Sequence, residues 1–152
     1  MKFKITYFYM LRFLKPNQIP ISTALWDPKW YNRDGKVYIN DKGVIFGLKC
    51  PPLSPQECTP GCCPCNNKTP GKCKFIQEYM ESLRKLNFLE IKQGLENIAR
   101  EVQGFMGFVE DPEIVLVVYE TPDNPCSERG SLIQWFLENN VNLEEYEKDN
   151  SN

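Results

Sequence analysis

Histidine is missing from this chain, and its absence removes the commonest general base and the commonest nitrogen ligand of protein-bound metals. Long apolar runs are also missing: no stretch approaches the roughly 18 consecutive apolar residues of a transmembrane helix, so we expect no membrane partner. An excess of charge of one sign is also missing, because the chain has 18 basic and 20 acidic residues. The resulting net charge of −2 argues against broad nonspecific phosphate binding but leaves room for a local basic face.

The N-terminal segment, residues 1–16, is basic and apolar but does not fit a secretion signal. Arg12 interrupts its apolar run, and no small-residue cleavage site follows. Without an export signal we expect a cytoplasmic location. In a reducing compartment, a group of cysteines more often binds metal than forms disulfides.

Six of the seven cysteines lie within residues 50–73, a segment that also contains six prolines and two glycines. Such a long segment without regular structure needs something to hold it, and a bound metal is one such device. We predict a structural zinc site with four sulfur ligands at about 2.3 Å, which would leave no open position for catalysis. The preferred ligands are Cys58, Cys62, Cys65 and Cys73, with Cys63 as a substitute for Cys62. Free or oxidised thiols, disulfides and an iron–sulfur cluster remain open, as does the role of Cys50.

Hydrophobic periodicity predicts one α/β domain over residues 1–147 and a disordered tail at 148–152. The run EIVLVVY at 113–119 is apolar after its first residue and predicts a central strand of a parallel sheet, buried on both faces. The other predicted elements are strands at 4–10 and 19–25, a β-hairpin at 36–48, amphipathic helices at about 75–86 and 95–105, a last helix at about 127–139 with Leu137 facing inward, and a frayed polar end. The predicted fold class is therefore a small Rossmann-like parallel sheet flanked by helices, with a hairpin and a Cys-rich insertion at 50–73.

The loop after the central strand is the first candidate site, because ligands of open α/β sheets bind beyond the carboxyl ends of the strands. Cys126 or Ser127 should lie at the N-terminus of the last helix, where free N–H groups favour an anion and lower the pKa of a thiol. Arg129 could clamp a phosphate or carboxylate with two parallel hydrogen bonds. The same residues also fit a plain capped helix with Ser127 as N-cap and Glu128 in the first turn.

A group of aromatic and polar residues follows the second strand and could face the same crevice. Its members are Trp26, Asp27, Trp30 and Tyr31. Aromatic rings there could stack on a base or a sugar, although each could equally cap the core. Ser22 and Thr23, within that strand, could supply hydroxyl groups to a ligand or simply alternate outward.

The run EIVLVVYETPDNPCSERGSLIQWF, residues 113–136, resembles the C-terminal signature of the family called domain of unknown function 488. That signature is a buried strand, an acidic Glu, a short loop, a Cys with a nearby Arg, and a helix bearing Trp. The stretch ISTALWDPKWY, residues 21–31, resembles the second-strand segment of phage and bacterial members of the family. The resemblance covers most of the chain and implies a Rossmann-like fold, with the Cys-rich segment as an insertion seen in one branch.

By position, Glu120, Cys126 and Arg129 match the family's Glu, Cys and Arg, and the resemblance implies that they carry the function, as catalytic residues if the protein is an enzyme. Many members have Cys-His-Arg in succession, whereas Ser127 and Glu128 separate Cys126 from Arg129 here. This departure favours anion binding over Cys–His acid–base chemistry. The phage-like members imply a nucleotide or nucleic-acid context and, for a phage protein, the host cytoplasm.

Two functions of different classes follow. In the first, the domain binds or acts on a nucleotide, a nucleic acid or another phosphorylated ligand, and Glu120 and Asp123 are the only plausible bases because histidine is absent. In the second, a non-enzymatic module uses its zinc-held segment to contact a protein or nucleic-acid partner. A structural or accessory protein in which neither site acts is the third alternative.

Overall fold

The main sheet of the protein has four parallel strands, seen in a computed structural model that describes residues 1–56, 73–124 and 127–149. Numbered in chain order, these strands are β1 Lys2–Tyr7, β2 Gln18–Ser22, β5 Glu113–Val118 and β6 Leu143–Glu145. Their order across the sheet is β2–β5–β1–β6, and each adjacent pair is parallel. The predicted α/β class with a small parallel sheet is therefore confirmed.

Strand β5 lies at the centre of the sheet, as its continuous apolar sequence predicts. Ile114, Leu116 and Val118 face the larger core cluster, and Val115 and Val117 face the smaller one on the other side. Side chains of a strand alternate between its two faces, so a strand buried on both faces must be apolar at every position. Strand β2, which contains Pro20, is an edge strand of the sheet. The N–H that proline lacks is least needed there, because an edge strand has a neighbour on one side only.

Within the described residues, three α-helices cover one face of the sheet: α1 Lys74–Arg84, α2 Phe88–Met106 and α3 Glu128–Glu138. Helix α2 begins where Asn87 Oδ1 accepts a hydrogen bond from the Glu90 N–H at 3.2 Å, and it ends at Gly107, whose φ of 78° favours glycine. Phe88 contacts Phe136 of α3 edge-on, with ring centroids 5.1 Å apart. These contacts fix α3 against the sheet and so position its N-terminus.

The opposite face of the sheet is covered by irregular structure and a small hairpin. A 3-10 helix at Phe8–Phe13 follows β1, and β3 Tyr38–Ile39 pairs antiparallel with β4 Ile45–Phe46. Tyr31 is fully buried between them, and its hydroxyl donates to the Leu48 carbonyl at 2.6 Å. The predicted hairpin is therefore present.

Several details differ from the sequence-based expectations; strand β2 ends at Ser22 rather than residue 25, and α2 begins at Phe88 rather than near residue 95. The first strand ends at Tyr7 rather than residue 10, because the chain turns into the 3-10 helix at Phe8. The polar C-terminal end, expected to fray, instead forms β6, in which Leu143 is buried and Glu144 is exposed. The prediction that Leu137 faces inward is wrong, since the side chain is 60% exposed, and Trp135 is buried on that helix instead.

The predicted disordered tail at 148–152 falls partly outside the described residues, which end at 149. Within the described part of the chain, no helix is long and apolar enough to cross a membrane.

Candidate functional site

The carboxyl ends of all four parallel strands meet at one edge of the sheet. Tyr7, Ser22, Val118 and Glu145 are the last residues of their strands. Helix α3 begins at this edge, after the loop that follows β5. The fold therefore places the described parts of the two segments that the sequence singled out, residues 22–31, 120–124 and 127–129, at the same edge.

Arg129 is the best-defined cation of this edge. Its side chain is only 9% exposed, and its Nη1 donates to the Glu120 carbonyl at 2.8 Å. Its Nε forms an ion pair with Glu145 and lies 2.8 Å from Oε1 of that carboxylate. The hydrogen bond from Nε is directed at the other oxygen, Oε2, at 3.4 Å. Its Cζ lies 6.0 Å from the centre of the Tyr7 ring. Strands β1 and β6 and the β5–α3 loop thus hold one guanidinium from three sides.

The second amino group of Arg129, Nη2, makes none of these hydrogen bonds. The Nη2 atom is buried and has no hydrogen-bond partner among residues 1–56, 73–124 and 127–149. A buried donor without a partner costs about 1–3 kcal/mol, and more when the group is charged. Such an atom at a strand edge indicates a place where a ligand could supply the missing acceptor.

Glu128, the first residue of α3, is buried, with only 2% of its surface exposed. Burial raises its pKa to about 9, and repulsion from Glu120 adds to the shift, while contacts with Thr23 and Arg129 partly oppose it. At neutral pH the side chain is therefore a neutral carboxylic acid that can donate a hydrogen bond.

Thr23 connects this acid to the sheet. Its hydroxyl lies 3.2 Å from the Val117 carbonyl and 3.4 Å from Oε1 of Glu128. A hydroxyl has one hydrogen, so Thr23 donates either to the Val117 carbonyl or to the Glu128 carboxyl. The predicted hydroxyl of Thr23 is therefore at the site, next to Glu128.

Glu120 and Asp123, in the loop before α3, lie near Arg129. The Oε2 atom of Glu120 is buried and, like Arg129 Nη2, has no hydrogen-bond partner within the described residues. Asp123 is exposed, and a hydrogen bond from Thr121, helped by the charge of Arg129, lowers its pKa. Ser127 is the N-cap of α3, because its Oγ accepts a hydrogen bond from the Arg129 N–H at 3.0 Å.

Ser22 and Asp27 form a separate polar network beside the edge. The Ser22 hydroxyl donates to Asp27 Oδ1 at 2.6 Å, and Lys49 Nζ lies 3.1 Å from Asp27 Oδ2. Both oxygens of the carboxylate are therefore engaged by neighbouring residues. This network holds the turn after β2, in which Trp26 is 70% exposed.

Trp30 does not lie beside Arg129. It packs edge-on against Phe8 at 6.1 Å and against Tyr31 at 6.4 Å, on the sheet face opposite the three helices. The structure thus brings Thr23, Glu120 and Arg129 together and places Trp30 in a different surface.

The cysteine predictions can be followed only in part. Cys58, Cys62, Cys63, Cys65 and Cys126 lie outside the described residues. Cys73 is buried at the start of α1, and Cys50 is buried in the main core, where burial raises the pKa of its thiol. Within the described part of the chain, no group of three or more potential metal ligands is present.

Sequence reasoning missed several residues of this site. It treated Glu128 as a favourable first-turn residue of the last helix, and it placed Glu145 in the frayed end. Tyr79 of α1 is buried nearby, where burial and the charges of Glu128 and Glu120 raise its pKa well above the ordinary tyrosine value. The available signal was the pair of carboxylates at 120 and 128 around a predicted helix start.

The fold and site together define a parallel α/β domain with a buried Arg–Glu cluster at the carboxyl edge of its sheet. Comparisons of the chain with protein-family models, with curated proteins and with solved structures found no match.

Proposed function

We propose that this domain binds a phosphorylated small molecule, such as a nucleotide, at the carboxyl edge of the sheet. The observation that carries the proposal is the buried Nη2 of Arg129, which has no acceptor within the described residues. A phosphate oxygen is a strong acceptor for a charged donor such as this Nη2 group.

Two further features beside the guanidinium favour an anion. Glu128 is a neutral acid at pH 7, and α3 contributes the positive end of its dipole. They act against the negative charges of Glu120 and Glu145, which also lie beside Arg129.

Glu145 offsets the charge of Arg129 in the absence of a ligand. Burial raises the pKa of Glu145, and the attraction of Arg129 opposes that shift. Because the Glu120 carbonyl also contacts the guanidinium, a ligand must reach it by moving the loop at 120–124. We therefore expect binding to be accompanied by rearrangement of this loop.

The same geometry could support proton transfer. Glu128 holds a proton at neutral pH, and Glu120 repels the charged form of Glu128. Two carboxyl groups whose environments differ in this way are suited to act as general acid and general base. Cys126 lies outside the described residues and stays a sequence-based candidate for catalysis or anion binding.

Thermal stabilisation by ligands tests the proposal. Inorganic pyrophosphate, AMP and ATP are added to the wild-type protein and to Arg129→Gln and Arg129→Lys. We expect at least one probe to raise the wild-type Tm, because a ligand at 100 times its Kd adds about 2.7 kcal/mol. Arg129→Gln should abolish the rise, and Arg129→Lys should retain part of it, because lysine keeps the charge without the second amino group.

Arg84→Gln is the matched control, because Arg84 of α1 forms an exposed ion pair with Glu138 at 2.7 Å. Its ligand-induced rise in Tm should equal that of the wild type. Equal rises in wild type and Arg129→Gln, with both folded by circular dichroism, would rule out this site.

A second proposal concerns the Cys-rich segment. We infer that Cys58, Cys62, Cys65 and Cys73 bind one structural zinc ion, and that the segment so held contacts a protein or nucleic-acid partner. Support comes from the ligand spacing and from the buried Leu53 and Cys73, which fix the chain on either side of the segment. The role of zinc would be to crosslink the loop.

Elemental analysis of the purified protein tests the zinc proposal. We expect about one zinc per chain in the wild type and a large loss in Cys65→Ser. Cys50→Ser is the control, because Cys50 lies in the main core, and its zinc content should stay unchanged. A wild-type protein without zinc would refute the metal site and leave the Arg129 proposal untouched.

A further inference from the structure

A cavity of about 670 Å³ lies on the sheet face opposite the helices, between the 3-10 helix and the hairpin β3–β4. We call it the aromatic–basic groove and define it by Tyr9, Arg12, Trp30, Arg33, Tyr38 and Lys42. None of these six residues belongs to the Arg129 cluster. The groove falls in the size range of ligand-binding clefts.

The charge of the groove is opposite to that of the chain. Three cations line it, Arg12, Arg33 and Lys42, with Asp41 as the acid, which gives a local charge of +2 against a chain total of −2. Within the described residues, none of the three cations forms an ion pair with a carboxylate. Unneutralised cations on a concave surface attract a polyanion.

Aromatic rings alternate with these cations. Arg12 lies 4.0 Å above the Tyr9 ring, and Arg33 lies 4.4 Å above the Tyr38 ring. Lys42 Nζ donates to the Arg12 carbonyl at 2.7 Å, which ties the hairpin turn to the 3-10 helix. Each guanidinium thus contacts an aromatic ring. Arg12 Nε also donates to the Tyr9 carbonyl at 3.1 Å, so the remaining N–H groups are the ones that can bind a phosphate.

The Trp30 ring is open to a ligand. It is 45% exposed and is anchored by Phe8 and Phe46, whereas the Tyr9 ring already contacts Arg12 and stacks with Tyr7. An anchored but half-exposed ring is a stacking platform, because it offers a face without losing further conformational freedom on binding.

We propose that the aromatic–basic groove binds single-stranded nucleic acid, with a base stacked on Trp30 and phosphates on Arg12, Arg33 and Lys42. The single strand is specified because its base faces are available for stacking, whereas those of a duplex lie inside the helix. The proposal stands on the groove alone and does not require the Arg129 site.

Fluorescence anisotropy with labelled 12-nucleotide oligothymidylate and oligouridylate tests it. We expect both to bind the wild-type protein, with log K falling by about 0.7 per phosphate contact for each tenfold rise in salt, and so by about 2 for three contacts. Arg33→Gln and Lys42→Gln should each lower that slope by about 0.7. Trp30→Ala should weaken binding about 5- to 150-fold, the range expected for one stacked base.

Arg100→Gln is the matched control, because Arg100 is a half-exposed arginine on helix α2. It should leave affinity and salt slope unchanged. The exposed Arg33 and Lys42 keep the test valid if Trp30→Ala fails to fold. Three results would overturn the proposal: no binding of either oligonucleotide, equal losses in Arg100→Gln and Arg33→Gln, or a duplex of the same length bound as tightly as the single strand.

Discussion

Environment determines the chemistry of the charged residues at the carboxyl edge of the sheet. Glu128 and Glu90 both lie in the first turn of a helix, but Glu128 is buried and Glu90 is exposed. The helix dipole favours a negative charge at both positions. At Glu128 the loss of hydration outweighs that favourable effect, and its pKa rises to about 9.

This shift predicts a specific dependence of stability on pH. Glu128 has a pKa of about 9 in the folded protein and an ordinary value of 4.5 when exposed, so the folded state binds its proton more tightly. The stabilisation is complete below pH 4.5 and is lost as the pH rises towards 9. The free energy of unfolding should therefore fall, relative to Glu128→Gln, by a few kcal/mol between pH 5 and pH 9.

Urea denaturation at several pH values measures this difference. Charges that face Glu128 from its surroundings are those of Glu120, Arg129 and, when ionised, Tyr79, and they are the same in both proteins. Glu90→Gln is the control and should follow the wild-type curve. Parallel curves for wild type and Glu128→Gln would show that Glu128 is ionised across this range.

At the scale of elements, local pattern predicted the interior of the fold better than its margins. Strand β5 and the start of α3 follow directly from an apolar run and an N-cap serine. Strand β6 has three residues, one of them buried, and such a pattern is indistinguishable from a polar loop. Only pairing with β1 makes it a strand, and Glu145 reaches Arg129 for that reason.

Two leucines test the corrected assignment. Leu143 of β6 is 3% exposed, and Leu137 of α3 is 60% exposed, the reverse of what the sequence suggests. Leu143→Ala should lower the free energy of unfolding by about 2–4 kcal/mol, because it leaves a cavity in the main core. Leu137→Ala should change it by less than about 0.5 kcal/mol.

Chemical denaturation of the two variants gives the comparison directly, since the substitution is identical. Similar losses, or a larger loss at Leu137, would contradict the placement of β6 at the sheet edge.

At the scale of the whole molecule, the sheet separates two candidate surfaces. The Arg129 cluster lies at the carboxyl ends of the strands. The aromatic–basic groove lies on the face of the sheet opposite the three helices. Tyr7 connects them, since its ring stacks on that of Tyr9 with centroids 6.3 Å apart and lies under Arg129. The two surfaces are therefore close but chemically separate.

The sequence predicts these two surfaces unequally. Glu120 and Arg129 lie nine residues apart around one loop, so a single strand–loop–helix pattern was enough to pair them. Arg12, Arg33 and Lys42 come from three separate segments and meet only because the sheet brings those segments together. The sequence suggested that Trp30 could face the Arg129 crevice, because Trp30 follows strand β2. A position after a strand predicts the edge of the sheet at which a residue lies, but not the face of the sheet on which its side chain packs.

An NMR titration of the ¹⁵N-labelled protein tests the central claim most directly. Inorganic pyrophosphate and AMP are added while the backbone amides and the Arg129 Nε–H are followed. We predict saturable shifts of Arg129 Nε–H and of the amides of 127–131 and of 120–124 except Pro122, and no shift in α2. Saturable shifts confined to other parts of the molecule, or none with either probe, would contradict a phosphate site at Arg129.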